Sequence, residues 1–260
     1  MILILDYGSQ YTELIARRIR ELNVFSEVVS HSITAGEIKS KIKVQGLILS
    51  GGPESVSEED SPSIDENIFT LGIPILGICY GMQLIAHEHN GKIENSKVRE
   101  YGASSLEIIG SSDLFNKIPK HINIWMSHSD SVSIIPETFE TIASTKTCNV
   151  ASFQNKEKQI FGIQFHPEVS HTDYGKQIIE NFVINICKVK QTWTTKTFIE
   201  QSIESINDQV KDASVLCALS GGVDSSVVAA LLNKAIGDRL TCMFIDTGFM
   251  RIDEGARIKR

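Results

Sequence analysis

The sequence predicts an α/β protein: a doubly wound, largely parallel sheet, followed by the beginning of a second parallel α/β unit. Three observations lead there. Short apolar runs such as Met1 to Leu5 and Gly46 to Leu49 have the composition of strands buried on both faces. Segments of helical periodicity alternate with them, as in parallel βαβ units. After a polar, threonine-rich stretch at 190–197, the alternation of strand and helix starts again.

Taken in order, Met1 to Leu5 is the first strand, and Tyr11 to Leu22 is a helix with Leu14, Ile15, Ile19 and Leu22 at helical spacing. Phe25 to Val29 is a second strand, Ile33 to Lys41 a short helix, and Gly46 to Leu49 a third strand closed by Ser50-Gly51-Gly52-Pro53. An acidic loop (Glu54 to Asp60) and a helix around Ile64 to Leu71 precede a fourth strand, and Met82 to His89 is helical. From Gly91 the pattern changes to short strand-like runs: Lys92 to Ser96, Ser104 to Ile109, Ile122 to Met126, Val132 to Ile135, Thr141 to Ser144, Val150 to Asn155 and Gln159 to Phe165. Turn residues between them point to an antiparallel insertion or extension, so a mixed sheet is expected. Tyr174 to Val189 is a closing helix. The organisation expected is a first domain over 1–189, a linker over 190–197, and an incomplete second domain over 198–260. In the latter, Thr197 caps a helix Phe198 to Val210, and strands Ser214 to Leu219 and Leu240 to Ile245 flank a helix Ser225 to Ile236.

Composition excludes several classes. Over 260 residues, 42% hydrophobic and 22% charged content is that of a globular chain with a full core. A net charge of −7 gives no electrostatic footprint for nucleic acid or an anionic membrane. The five cysteines are widely spaced and odd in number, which argues against a disulfide framework or zinc site and for a reducing compartment. The apolar start stops at Asp6 with no basic leader, and no run reaches membrane-spanning length, so a cytoplasmic protein is expected.

The most informative stretch is Pro74-Ile75-Leu76-Gly77-Ile78-Cys79-Tyr80-Gly81-Met82-Gln83. It passes from strand to helix through Gly-x-Cys-x-Gly, a nucleophile elbow with cysteine as the nucleophile. Glycines flank the nucleophile because the turn leaves no room for side chains, and the helix N-terminus beneath it favours the thiolate. Roughly 0.02 such patterns are expected by chance in a chain of this composition, which sets Cys79 apart from an ordinary buried cysteine. A thiol nucleophile needs a base and an orienting group. His166 follows the strand Ile160 to Phe165, and Glu168, two residues on, projects to the same side of an extended segment that Pro167 keeps extended. His31, His87, His89 and His121 stand among polar residues and are expected in solvent. For the oxyanion, the amides of Tyr80 and of Gly52, in the turn after the third strand, are the natural donors.

A second motif, Ser220-Gly221-Gly222-Val223-Asp224-Ser225-Ser226, lies between a buried strand and a helix. Glycines let the backbone close on an anion, and serine hydroxyls and helix N-terminal amides donate to it. It is a phosphate cradle without the lysine of a Walker A loop. Asp246, after the following strand, is either a contact to nucleotide or metal or a plain strand-end cap.

Gly-Ile-Cys-Tyr-Gly-Met-Gln at 77–83, Ser-Gly-Gly-Pro at 50–53 and Gln-Phe-His-Pro-Glu at 164–168 resemble the class I (triad) glutamine amidotransferases. That resemblance implies a flavodoxin-like first domain, with Cys79 as nucleophile, His166 as base, Glu168 as orienter and the Gly52 and Tyr80 amides as oxyanion hole. It also implies glutamine binding by Gln83 and by Ser127, Ser129 and Asp130 of a Ser-His-Ser-Asp loop. The loop Ser220 to Ser226 is similar to the pyrophosphate loop of the ATP pyrophosphatases, whose fold is adenine nucleotide α-hydrolase-like. The combination resembles the glutamine-hydrolysing GMP synthase family, with Asp6 to Tyr11, Arg99 to Gly102, Trp125 to His128 and Trp193 also matching it. What this implies is glutamine, ATP with Mg2+, and XMP as reactants, no organic cofactor, and a homodimeric full-length enzyme. The rest of the pyrophosphatase domain and the dimerisation region are missing from the 260 residues, which are expected to be a fragment with slow glutaminase activity. Another amidotransferase, a free-standing γ-glutamyl hydrolase, or an inactive nucleotide-binding module remain the alternatives.

Overall fold

The computed structural model describes residues 1–41, 43–58 and 60–244, without the side chains of 96–99; Asp246 lies outside the described residues. The chain forms two compact units, Met1–Thr192 and Trp193–Arg260.

The first unit is one mixed sheet. Its strands are β1 (Ile2–Asp6), β2 (Ser26–Ser30), β3 (Gly46–Leu49), β4 (Ile75–Ile78), β5 (Lys92–Ile108), β6 (His121–Ile134), β7 (Glu140–Ser144), β8 (Ser152–Asn155) and β9 (Ile160–Ile163), in the order β2-β1-β3-β4-β9-β8-β7-β5-β6. β2, β1, β3, β4 and β9 run parallel, and the remainder join them antiparallel. Alternation along β1 explains why its apolar run is continuous. Ile2 and Ile4 enter one core with α1 (Thr12–Glu21) and Phe182, while Leu3 and Leu5 enter the other with α2 (Ala35–Ser40) and α3 (Tyr80–Glu88). Parallel pairing brings all these strands to a common edge: Leu49 lies beside Gly77, and Ile78 beside Ile163. The segments following β3, β4 and β9 therefore meet, at the edge where open α/β sheets bind ligands.

Several local expectations change. β5 and β6 are long paired strands, each expected as two short ones, because a register shift between Asn95 and Glu100 absorbs the irregularity without ending the pairing. Ser127 to Asp130 consequently lies on β6 and not in a loop. The segment expected as a helix near 64–71 is a 3-10 turn, Glu66–Thr70, capped by Asp65. Tyr174 to Val189 starts as α4 (Gly175–Glu180) and then widens into a π-helix, Asn181–Ile186. His89 is half-buried between Phe69 and Phe139, where burial lowers its pKa, so it is not the solvated residue expected.

In the second unit α5 (Thr195–Val210) begins earlier than expected: Thr194 is the cap, and Thr197 completes a reciprocal capping box. β10 (Val215–Leu219) pairs in parallel with β11 (Leu240–Phe244) through α6 (Val223–Ile236), and Leu216, Val227, Val228 and Met243 are exposed. The described residues contain no helix long and apolar enough to cross a membrane.

The π-helical turn presents Asn181, which donates from Nδ2 to the carbonyls of Leu114 (3.0 Å) and Asn116 (2.9 Å). Asn181→Ala removes both donors and is expected to cost about 1–3 kcal/mol of stability in urea denaturation. An effect within error of zero would show that water replaces the amide there.

Candidate active site

The local sequence dictates the elbow. Cys79 sits between β4 and α3 with φ 53° and ψ −106°, a conformation that costs a non-glycine residue about 1–3 kcal/mol unless its surroundings impose it. They do so by contact. A Cβ on Gly77 would collide with the Gly81 carbonyl, and one on Gly81 with the Leu49 carbonyl. The Cys79 amide donates to Ile163 O (2.8 Å) and the Gly81 amide to Ser50 O (3.1 Å), tying the turn to both neighbouring strand ends.

The cysteine side chain is buried, with its sulfur 3.6 Å from Ser127 O and 3.7 Å from Gln164 Nε2. His166 follows β9, 3% exposed, and its Nδ1 bonds Glu168 Oε1 at 2.7 Å. The Glu168 carbonyl in turn accepts from Arg18 Nε (3.0 Å). Burial opposes charge on His166, but the hydrogen bond to Glu168 and the negative charges of Glu168 and the neighbouring Cys79 outweigh it and push its pKa up to about 10. Burial, with the Glu100 charge nearby, pushes the Cys148 thiol up to about 12, and burial raises Cys187 as well. The structure thus brings Cys79 and His166 to one cavity, with Glu168 bonded behind the imidazole.

The donors expected for an oxyanion also converge. Tyr80 is the first residue of α3, so its amide has no helical acceptor. Gly52 packs so closely that a Cβ would stand 2.7 Å from Tyr7 O and 3.3 Å from Tyr80 Cγ. Both line a cavity of about 490 Å³ with Cys79, His166, Gln83, Ser127, Ser129 and Asp130. Along β6 the buried face carries His128 and Asp130, while Ser127 and Ser129 take the alternate, half-buried positions. Gln83 Nε2 donates to Asp130 O (2.7 Å), and the Asp130 carboxylate accepts from Ser55 and Asn95. Among the described residues, Glu100, His128 and Cys148 are the group able to hold a metal, with ligand atoms within 4.8 Å of one another. In this structure Glu100 is already engaged, 3.0 Å from His128 Nε2 and hydrogen-bonded by Thr147.

In the second unit, Ser220 to Ser226 follows β10 and opens α6 at its exposed N-terminus. Gly221 has φ 79°, Gly222 is the N-cap, and the hydroxyls of Ser220 and Ser225 lie 3.1 Å apart. Ser225 and Ser226 donate to Gly222 O (3.1 and 2.8 Å), bonds that hold the loop closed over the helix start.

The sequence pattern alone gives no role to Tyr11, whose ring stands edge-on to His166 at 5.2 Å, or to Gln164 and Glu100. A signal for Gln164 was present: the period-two argument that links His166 to Glu168 also links Gln164 to His166.

His166 also links the stability of the fold to pH. Because the folded value lies above the unfolded 6.5, its contribution is full below that pH and is lost as pH rises through about 10. The melting-temperature advantage of the wild type over His166→Gln should therefore shrink as pH is raised across this window. A pH-independent difference would contradict the buried ion pair.

Comparison with known proteins agrees with this geometry. A family model described as "Glutamine amidotransferase class-I" matches residues 3–186, and one described as "Asparagine synthase" matches 200–259. The "GMP synthase [glutamine-hydrolyzing]" of Colwellia psychrerythraea is 50% identical over 99% of this chain and 50% of its own length. That of Prochlorococcus marinus is 56% identical over 97% of this chain and 48% of its own. The chain thus spans about half the length of the curated relatives it matches. A crystal structure from Thermoplasma acidophilum, provisionally described as one of the subunits of a GMP synthase, superposes with a TM-score of 0.63 at 33% identity, covering 77% of this chain and 96% of that one. Since the first match runs through the entire mixed sheet and the elbow it carries, the chain belongs to the class-I glutamine amidotransferase family.

Proposed function

We propose that the chain is the amidotransferase part, and the start of the ATP pyrophosphatase part, of a glutamine-hydrolysing GMP synthase. The observation that carries this reading is one chain holding both the buried Cys79–His166–Glu168 constellation and, after Trp193, the glycine–serine loop at a helix start. The relatives at 50% and 56% identity support the choice of product over other amidotransferases.

Glutamine enters the cavity with its side-chain amide over Cys79. Asp130 takes the substrate α-amino group, Ser127 and Ser129 take polar atoms of the α-carbon end, and Gln83 contributes its amide oxygen, its nitrogen being bonded to Asp130 and Gln164. The Cys79 sulfur attacks the amide carbon, and the oxyanion that forms receives the Gly52 and Tyr80 amides; losing one such donor typically costs about 3 kcal/mol of barrier. His166 gives its proton to the departing nitrogen and ammonia leaves. The γ-glutamyl thioester is then hydrolysed by water, with His166 as base and Glu168 holding its ring. The product is glutamate.

Ammonia is spent in the second unit. There the amides at the start of α6, with the Ser220 and Ser225 hydroxyls, hold the pyrophosphate of ATP, and the positive φ of Gly221 lets the backbone close on it. These residues suit a phosphate group: exposed donors at a helix N-terminus, with Asp224 the carboxylate in its first turn. Mg2+ bound to the ATP held by this loop would screen the phosphate charge. The 2-oxygen of XMP is adenylated with release of pyrophosphate, and ammonia displaces AMP to give GMP. XMP binding and the homodimer belong to the full-length protein, which we place in the cytoplasm.

In that full-length protein, Cys79→Ala is expected to abolish glutamine-dependent GMP formation and spare ammonia-dependent formation. Equal loss of both would refute this division of labour. Conversely, Gly221→Val, forced out of its positive φ, should lower ATP-dependent amination by at least tenfold while glutaminase turnover persists. Undiminished amination would remove the loop from the ATP site.

A further inference from the structure

We propose that Gln164 is a further catalytic residue: its side-chain amide donates to the Cys79 sulfur and stabilises the thiolate, held in that orientation by a buried chain of hydrogen bonds across the sheet edge. The inference deepens the glutaminase reading and rests on it for its kinetic arm.

The orientation follows from what each group is able to do. The Asp130 main-chain oxygen can only accept. It lies 2.7 Å from one end of the Gln83 side chain, so that end is the nitrogen. The second hydrogen of this nitrogen reaches the Gln164 side chain at 3.3 Å, where it needs an acceptor, so the oxygen of Gln164 faces Gln83. Its nitrogen is thereby turned to the Cys79 sulfur, 3.7 Å away. Reversing Gln164 would set two donors against each other at Gln83 and a carbonyl oxygen against a thiolate. Gln83 cannot reverse either, because Asp130 offers it no hydrogen. The same Asp130 oxygen also accepts from His128 Nδ1 (3.0 Å), whose Nε2 is 3.0 Å from Glu100. Gln164 is fully buried and Gln83 nearly so, which keeps competing water from the amides.

The chain gives the sulfur two kinds of partner. In the neutral thiol, S–H points to Ser127 O; once the proton has passed to His166, the sulfur becomes an acceptor, and the Gln164 N–H is already aimed at it. Such a donor acts on the nucleophile and not on the substrate. It is therefore expected to alter reactivity of the sulfur toward any electrophile and turnover, with little effect on the affinity for glutamine.

The test uses Gln164→Met, similar in length without the donor, and Gln164→Glu, which keeps an oxygen for Gln83 and replaces the donor. Iodoacetamide alkylation at neutral pH is followed by peptide mass spectrometry at Cys79, with exposed Cys242 as internal standard. A hydrogen bond to a charged acceptor predicts that both variants alkylate Cys79 about ten- to hundredfold more slowly than wild type. Glutaminase kcat should fall by a comparable factor with KM for glutamine within about twofold. Unchanged alkylation in the folded variants, or a raised KM with kcat preserved, would overturn the proposal. If Gln164→Met does not fold, Gln164→Glu decides alone. A wild type that alkylates rapidly at Cys79 yet does not hydrolyse glutamine would sink the glutaminase reading while leaving the alkylation comparison able to judge Gln164.

Discussion

The constraint on which the site depends is steric: Gly77 and Gly81 pack so closely, one against the other and the second against Leu49, that neither can carry a side chain, and the cysteine between them is held at φ 53°. Helix α3 can then start immediately after β4, directly beneath the sulfur, and its first amide is available where an oxyanion would form. A looser turn would move the thiol off the sheet edge and separate it from His166. The strain at Cys79 is offset by the packing of the entire parallel sheet, with β1, β3 and β4 buried almost without exposure.

Because the strands are parallel and in register, neighbouring strand ends deliver different components to one place. β3 brings Gly52, β4 brings Cys79, and β9 brings Gln164, His166 and, by continuing in extended form, Glu168. The antiparallel half of the sheet supplies the opposite wall, β6 with Ser127 to Asp130 braced by Glu100 on β5. A charged imidazole that is 3% exposed would be expensive alone; its pairing with Glu168 and Cys79 makes it stable. At the buried thiols Cys148 and Cys187 burial instead favours the neutral form.

One local device serves both units. A strand ends, a glycine turn follows, and a helix begins with its free amides facing the turn. At α3 it sits under a buried sulfur; at α6 it is exposed and lined by serine hydroxyls. Burial separates the proposed tasks: a nucleophile must be shielded from water, whereas a polyphosphate has to be admitted from it.

The residue pattern by itself determined the alternation of strands and helices, the elbow at Gly77 to Gly81 and the loop at Ser220 to Ser226, because these depend on periodicity and on glycine at positions where no side chain fits. The same period-two logic sufficed to pair His166 with Glu168. Only the tertiary structure decided the rest. That Ser127 to Asp130 is strand follows from its partner β5, and that His89 is half-buried follows from Phe69 and Phe139, neither of which is adjacent in sequence. The widening of the last helix of the sheet unit accompanies the bonds Asn181 makes to a distant turn. The direction in which Gln164 points is set by Gln83 and a carbonyl 34 residues before it, Asp130 O. Local periodicity fixes which face a side chain takes, but what it meets there depends on segments that only folding brings together.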